Sequence, residues 1–146
     1  MRAMNMKKYR HILCTTDFSK SSKHALQEAK FLEDITKAKL TLAHFVEPII
    51  PNIYYDIPPT DETDGLIKNA KKRMEALRQD HQLSNANIIV DSGSAKMSIV
   101  KLAEKLKIDL IIIGKHGHHD FIERFLGSTS NYVVNHAACD VLIVQK

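Results

Sequence analysis

The sequence predicts an α/β fold, a single doubly wound domain whose five-stranded parallel sheet runs in the order 3-2-1-4-5 with helices on both faces. Three observations carry this expectation. Five short apolar runs alternate with stretches of helical periodicity, the pattern of a parallel sheet joined by right-handed crossovers. Leu110-Ile111-Ile112-Ile113 and Val141-Leu142-Ile143-Val144 are continuously apolar, as strands covered on both faces are. The length, 146 residues, is near the commonest for one domain and long enough to bury one ordinary core.

The elements follow in order. His11 to Thr15 reads as the first strand. Ala25, Ala29 and Leu32 mark a first helix that Ser19 or Ser21 can cap. Leu40 to Val46 reads as the second strand. All four prolines, Pro48, Pro51, Pro58 and Pro59, then fall together with Tyr54 and Tyr55, which predicts a long irregular loop over 47–61. Leu66, Ala70, Met74 and Leu77 mark the second helix, and Asn87 to Val90 the third strand. Ile99, Leu102, Ala103 and Leu106 keep the i, i+3, i+4, i+7 spacing of one buried helix face. Leu110 to Ile113 is the fourth strand, Ser128 to about His136 the fourth helix, and Val141 to Val144 the fifth strand. Residues 1–146 form one domain, with 1–7 expected as a disordered tail. The expected strand order leaves the fifth strand with one neighbour, and an apolar edge without proline or charge predicts a homodimer through Val141 to Val144.

Composition narrows the function classes. Hydrophobic residues are 44% and charged residues 26%, ordinary for a globular domain. No run of 18 apolar residues exists, and no signal-peptide core follows Arg2, Lys7 and Lys8, so a cytoplasmic protein without a membrane partner is expected. The net charge is +4 and the pI near 9.0, but lysines and arginines are spread over every segment. That dispersal disfavours nucleic acid, while a mild positive field suits an anionic small molecule. Cys14 and Cys139 fall in a strand and at a strand entrance, where free thiols behave as small hydrophobes, and no disulfide is expected.

In doubly wound sheets a ligand sits beyond the carboxyl ends of the strands where the order reverses, here between the first and fourth strands. This nominates Thr15-Thr16-Asp17-Phe18-Ser19 and Gly114-Lys115-His116-Gly117. Of only five glycines, three form Gly114-x2-Gly117-x9-Gly127-Ser128, directly after the fourth strand and leading into the fourth helix. Glycine lets backbone approach a ligand closely, and a helix start at Gly127 to Ser130 offers free N–H groups and a dipole to phosphate. Ser128, Thr129 and Ser130 add three hydroxyls. The plainer reading is a pair of tight turns with a Ser/Thr helix cap.

The Gly-x2-Gly-x9-Gly-Ser spacing, the Asp after the first strand and the closing Val-Leu-Ile-Val strand resemble the universal stress protein family, over Tyr9 to Gln145. The resemblance implies a regulatory or protective role in stress response and binding of ATP or AMP, with magnesium as the optional accompanying ion. By the same resemblance, Thr15, Thr16 and Asp17 line the adenosine side and Phe45 meets adenine through its backbone. Ile113 and Gly114 lie beside the nucleoside, and Gly117, Gly127, Ser128, Thr129 and Ser130 surround the phosphates. Asp17 would accept from a ribose hydroxyl or help hold a divalent ion; its plainer reading is a cap on the first helix. His118-His119-Asp120-Phe121 looks like the branch typified by universal stress protein A, which is held not to bind ATP but lacks the third glycine. The alternative function is therefore a nucleotide-free dimeric scaffold of that type. Phe45 is bulkier than the family's usual β-branched residue and narrows the adenine slot.

His116, His118 and His119 invite a metal reading, but no i, i+4 pair and no nearby Cys accompanies them, which favours a phosphate-facing or solvated cluster. His44 reads as a satisfied core histidine. A Walker loop is excluded by His116 after Gly114-Lys115 and by the missing upstream glycine. No nucleophile elbow is present, and no catalytic base is identifiable, Asp120 and Glu123 reading as solvated loop carboxylates, so an enzyme is not expected.

Overall fold

The computed structural model describes residues 8–47, 61–116 and 125–145. The expectations for 1–7, for residues 48–60 of the proline-rich loop, and for Gly117, His118, His119, Asp120, Phe121 and Glu123 lie outside the described residues.

In chain order the elements are β1 (His11–Thr15), α1 (Lys20–Thr36), β2 (Lys39–Val46), α2 (Asp61–Asp80), β3 (Asn87–Ser92), α3 (Ala95–Lys105), β4 (Leu110–Gly114), α4 (Ser128–His136) and β5 (Asp140–Val144). The sheet runs β3-β2-β1-β4-β5, and each adjacent pair is parallel. Four strands extend past their apolar runs, to Lys39, Ser92, Gly114 and Asp140, because ladder pairing continues where side chains already face water. Asp61 belongs to α2, so the loop expected over 47–61 ends one residue sooner.

Alternation along the central strands divides the core into two layers. Ile12, Cys14, Leu40, Leu42 and Ile112 pack with Ala25, Leu26 and Ala29 of α1 and Met74 of α2. Leu13, Ala43, Ile111 and Ile113 face the other way, onto Ile99 and Ala103 of α3 and Val133 of α4. Neither layer exposes β1: Ile12, Leu13 and Cys14 are all 0% accessible. Burial pushes the Cys14 thiol up to about 12, so it stays protonated and inert. Leu66 departs from the expected buried face of α2. It is 49% exposed, while Ala70 and Met74 below it are buried.

At the amino ends of the strands, polar groups are spent on holding the fold. Asp109 accepts from the backbone N–H of Arg10 at 2.9 Å and of His11 at 3.2 Å, and His11 Nε2 lies 2.9 Å from Thr41 Oγ1. The Tyr9 hydroxyl donates to Asp140 at 3.0 Å, tying the chain entry to β5.

Candidate functional site

At the opposite, carboxyl end of the strands a cleft of about 560 Å³ opens between β1, β2 and β4, the size range of small-molecule sites. Its floor is the end of β1. Thr16 N–H donates to Ala43 O at 3.0 Å, carrying the ladder one residue past the strand. Thr16 Oγ1 then accepts from Phe18 N–H at 3.0 Å and shares a 2.9 Å bond with Ser22 Oγ. Asp17 Oδ1 accepts from Ser19 N–H at 2.9 Å, and Ser19 Oγ accepts from Ser22 N–H at 3.2 Å. Ser19 is thus the N-cap of α1, and Asp17 holds the turn before it instead of capping the helix. Thr15, Thr16 and Asp17 all line the cleft.

This turn sets Phe18 at φ 64°, a conformation costly for a bulky side chain. Packing holds it there. Its ring centroid lies 4.5 Å from that of His44, and the Arg73 guanidinium carbon sits over the Phe18 ring, 3.8 Å from its centroid. His44 Nδ1 lies 2.7 Å from Thr16 O, and because a carbonyl can only accept, the hydrogen is on Nδ1. Burial, with Arg73 adding to it, holds the His44 imidazole below its ordinary pKa. His44 is therefore a satisfied, half-buried histidine as expected, and it also forms part of the cleft wall.

From β2 come Ala43, Phe45 and Val46, and directly after it Glu47. Glu47 crosses to the start of α3, where Oε1 accepts from Ala95 N–H at 2.8 Å. The N-cap residue there, Ser94, makes no side-chain cap bond, so a carboxylate from another strand closes this helix.

From β4 come Ile113 and Gly114. A Cβ at Gly114 would lie 2.6 Å from Ser21 Oγ and 2.8 Å from the Ser21 carbonyl carbon, so glycine is required for α1 to approach the strand end. Lys115 N–H donates to Val144 O at 2.9 Å, and Lys115 O accepts from Gly127 N–H at 2.9 Å. The end of β4 is thereby tied to the start of α4.

The N-cap of α4 is Gly127, which has no side chain to offer, and no side-chain cap bond forms. Asn131 N–H donates to Gly127 O at 2.9 Å, so the N–H groups of Ser128, Thr129 and Ser130 precede the helix's first intrahelical bond. Ser128 and Thr129 line the cleft, and their hydroxyls make no hydrogen bond among the described residues. Ser130 differs from expectation. It lines the cleft but is buried, and its Oγ donates to Lys115 O at 3.0 Å and Gly127 O at 3.1 Å, so of the three hydroxyls two are free for a ligand.

The cleft thus gathers Thr15, Thr16, Asp17, Phe45, Ile113, Gly114, Gly127, Ser128, Thr129 and Ser130; of the expected set, Gly117 lies outside the described residues. It also contains residues not assigned to it from sequence: Ser22, Ala43, Val46, Glu47, Leu66, Ala95 and Ile99, with His44, while His116, in the segment nominated after the fourth strand, lines it as well. Val46 and Glu47 follow from strand direction alone, since a site at the carboxyl ends must meet the last residues of β2. Nothing in the local pattern marks Leu66, which reads as an ordinary helix-face residue. Among the described residues no group of three His, Cys, Asp or Glu is placed to hold a metal ion, and no helix is long and apolar enough to cross a membrane.

A parallel sheet with a ligand-sized crevice at its switch point, bordered by a helix start without a side-chain cap, defines this as a doubly wound α/β protein with an open cleft where the strand order reverses. The chain belongs to the universal stress protein family, whose pattern it matches over residues 8–145. It is 38% identical over 143 residues to universal stress protein A homolog 2 of Coxiella burnetii, with 96% of this chain and 97% of that protein aligned. Universal stress protein UspA from Lactobacillus plantarum superposes with a TM-score of 0.80 at 28% identity, covering 95% of this chain and 99% of that one. A universal stress protein in complex with cAMP superposes at 0.65 with 25% identity, covering 95% and 98%.

Proposed function

We propose that the protein binds an adenine nucleotide, ATP or AMP, in this cleft and acts as a regulatory or protective stress-response protein with little turnover. One observation carries the reading: α4 begins at the cleft with no side-chain cap, whereas the starts of α1 and α3 on the same cleft are closed by Ser19 and Glu47. Free N–H groups, the helix dipole and the Ser128 and Thr129 hydroxyls suit a phosphate. Phe45, Val46 and Ile99 supply apolar wall for a base, and Asp17 is the carboxylate for a ribose hydroxyl or for magnesium carried in on the phosphates. The relative bound to cAMP supports an adenine ligand for this fold.

The role is cytoplasmic and the unit a homodimer in this reading. β5 has β4 as its one neighbour, and Val141, Leu142 and Ile143 on it are only partly buried, so antiparallel pairing with a second copy would satisfy both edges. Sedimentation equilibrium at micromolar concentration checks this, a monomeric mass being the adverse result. The nucleotide is tested by mass spectrometry of small molecules released from denatured protein, together with calorimetric titration of Mg-ATP, AMP and GTP. An adenine nucleotide that co-purifies or binds in preference to GTP is expected. Absence of binding by any nucleotide would leave the dimeric scaffold as the surviving function.

A further inference from the structure

We propose that His116 is a ligand-reading residue of the cleft, its imidazole taking its hydrogen-bond partner from the anionic end of whatever lies at the start of α4. This deepens the nucleotide reading and rests on it for the ligand's identity, but the residue's own geometry stands apart. The backbone at His116 is pinned between two helix starts. Its N–H lies 3.4 Å from Ser21 Oγ on α1, and the residue before it accepts from Gly127 N–H and Ser130 Oγ at α4. The side chain lines the cleft, yet Nδ1 is buried with no hydrogen-bond partner.

Buried side-chain nitrogens are nearly always partnered, because water has been removed and nothing replaces it. Three hydroxyls that line the same cleft are already committed. Thr16 Oγ1 and Ser22 Oγ bond each other, and Ser130 Oγ is spent on two carbonyls. A half-turn of the ring about Cβ–Cγ exchanges Nδ1 with Cδ2, placing carbon where the nitrogen is stranded and nitrogen on the opposite edge. Among the described residues nothing partners Nδ1 where it stands, and the cleft that the side chain lines supplies a partner when it is occupied. Beside an uncapped helix start the partner is an anion, which requires a donor, and imidazole in either protonation state has one to give.

The experiment uses the full chain labelled with 15N-histidine, titrated separately with tripolyphosphate, adenosine and Mg-ATP, and His116→Phe and His116→Asn measured by calorimetry. Tripolyphosphate and ATP are expected to move the His116 Nδ1 resonance, and adenosine to leave it in place. His116→Phe should weaken ATP about tenfold, the loss of one charge-assisted bond, with adenosine changed less than twofold. His116→Asn, whose amide can stand in for the ring donor, should recover part of that loss. Unchanged ATP affinity in His116→Phe, or equal losses for ATP and adenosine, overturns the proposal by making the residue structural. A response to tripolyphosphate with none to ATP or adenosine would uphold His116 and overturn the nucleotide reading; no response to any of the three overturns both.

Discussion

The starts of α3 and α4 face the same cleft with the same dipole, yet one is closed and the other open. At α3 the cap residue leaves its hydroxyl unused, and Glu47 arrives from β2 to take Ala95 N–H at 2.8 Å. At α4 the cap is Gly127, and nothing in the described protein takes the N–H groups that follow. The contrast sets a helix start closed by the protein's own carboxylate against one left without a side-chain cap, and only the second keeps its N–H groups on offer to an anion. The α1 side of the cleft belongs with the closed half: Ser19 caps the helix, and its backbone presses against Gly114.

The largest effect should come from filling the open side. A ligand that binds only the folded state stabilises it by about 2.7 kcal/mol at a hundredfold excess over Kd, and the proposed ATP site should show this. Gly127→Val is expected to abolish the resulting rise in melting temperature by placing a side chain at the phosphate position. A thermal shift that survives intact in this variant would put the nucleotide elsewhere.

On the closed side the cost should appear without ligand. Gly114→Ala drives a methyl group into Ser21 backbone and is expected to lose about 1–3 kcal/mol in urea denaturation of the unliganded protein, the range for overpacking. A variant as stable as the native chain would mean that α1 shifts freely and that its closeness to β4 is incidental.

Glu47→Ala exchanges the character of the two helix starts. Removing the carboxylate should cost about 1 kcal/mol, as loss of a cap does. Inorganic phosphate should then stabilise the variant more than the native protein, since a second helix start is open to it. Equal stabilisation by phosphate in both proteins would break the comparison between α3 and α4.

The smallest effect concerns pH. Burial lowers the pKa of both His44, beside the cleft, and His11, at the far end of the sheet. Their folded imidazoles stay neutral where the unfolded chain, titrating near 6.5, takes up protons. Unfolding therefore binds protons, and stability should fall as pH drops through and below 6.5, until the folded-state values are passed. Melting temperatures between pH 7.5 and 5 check this, with a weaker slope expected for His44→Asn. An unchanged slope would show that its bond to Thr16 O persists at no cost when the ring is charged.

Strand order and the position of the cleft were legible in the sequence because both follow from patterns with few alternatives. Leu110 to Ile113 has no polar face to offer water, and a βα alternation with short connections leaves one crossover hand. Gly114, Gly127 and Asp17 then fall where the sheet order reverses. What escaped was set by tertiary reach. That Ser130 points back to Lys115 O while Ser128 and Thr129 do not depends on helix phase at the cap, and three adjacent hydroxyls look alike in sequence. Glu47 is one acidic residue among 17, and its role exists only because β2 ends beside the start of α3. Leu66 fits a buried stripe by spacing, but α2 overhangs the sheet end there and the stripe runs out over the cleft.

The junction of β1 with β4 has a kinetic consequence. It joins segments far apart in the chain, as His11 and Asp109 at its lower end are 98 residues apart, whereas β1, β2 and β3 succeed one another and β4 and β5 lie close in sequence. Loop-closure entropy makes such a join slow to form, so the two sub-sheets are expected to assemble before they meet. The cleft straddles this seam, with Thr16 and Ala43 on one side and Ile113 and the start of α4 on the other. It exists only after the last pairing is made. A molecule seated there grips both halves without having helped either to form, so its stabilisation should be felt as slower unfolding, with the folding rate nearly unchanged.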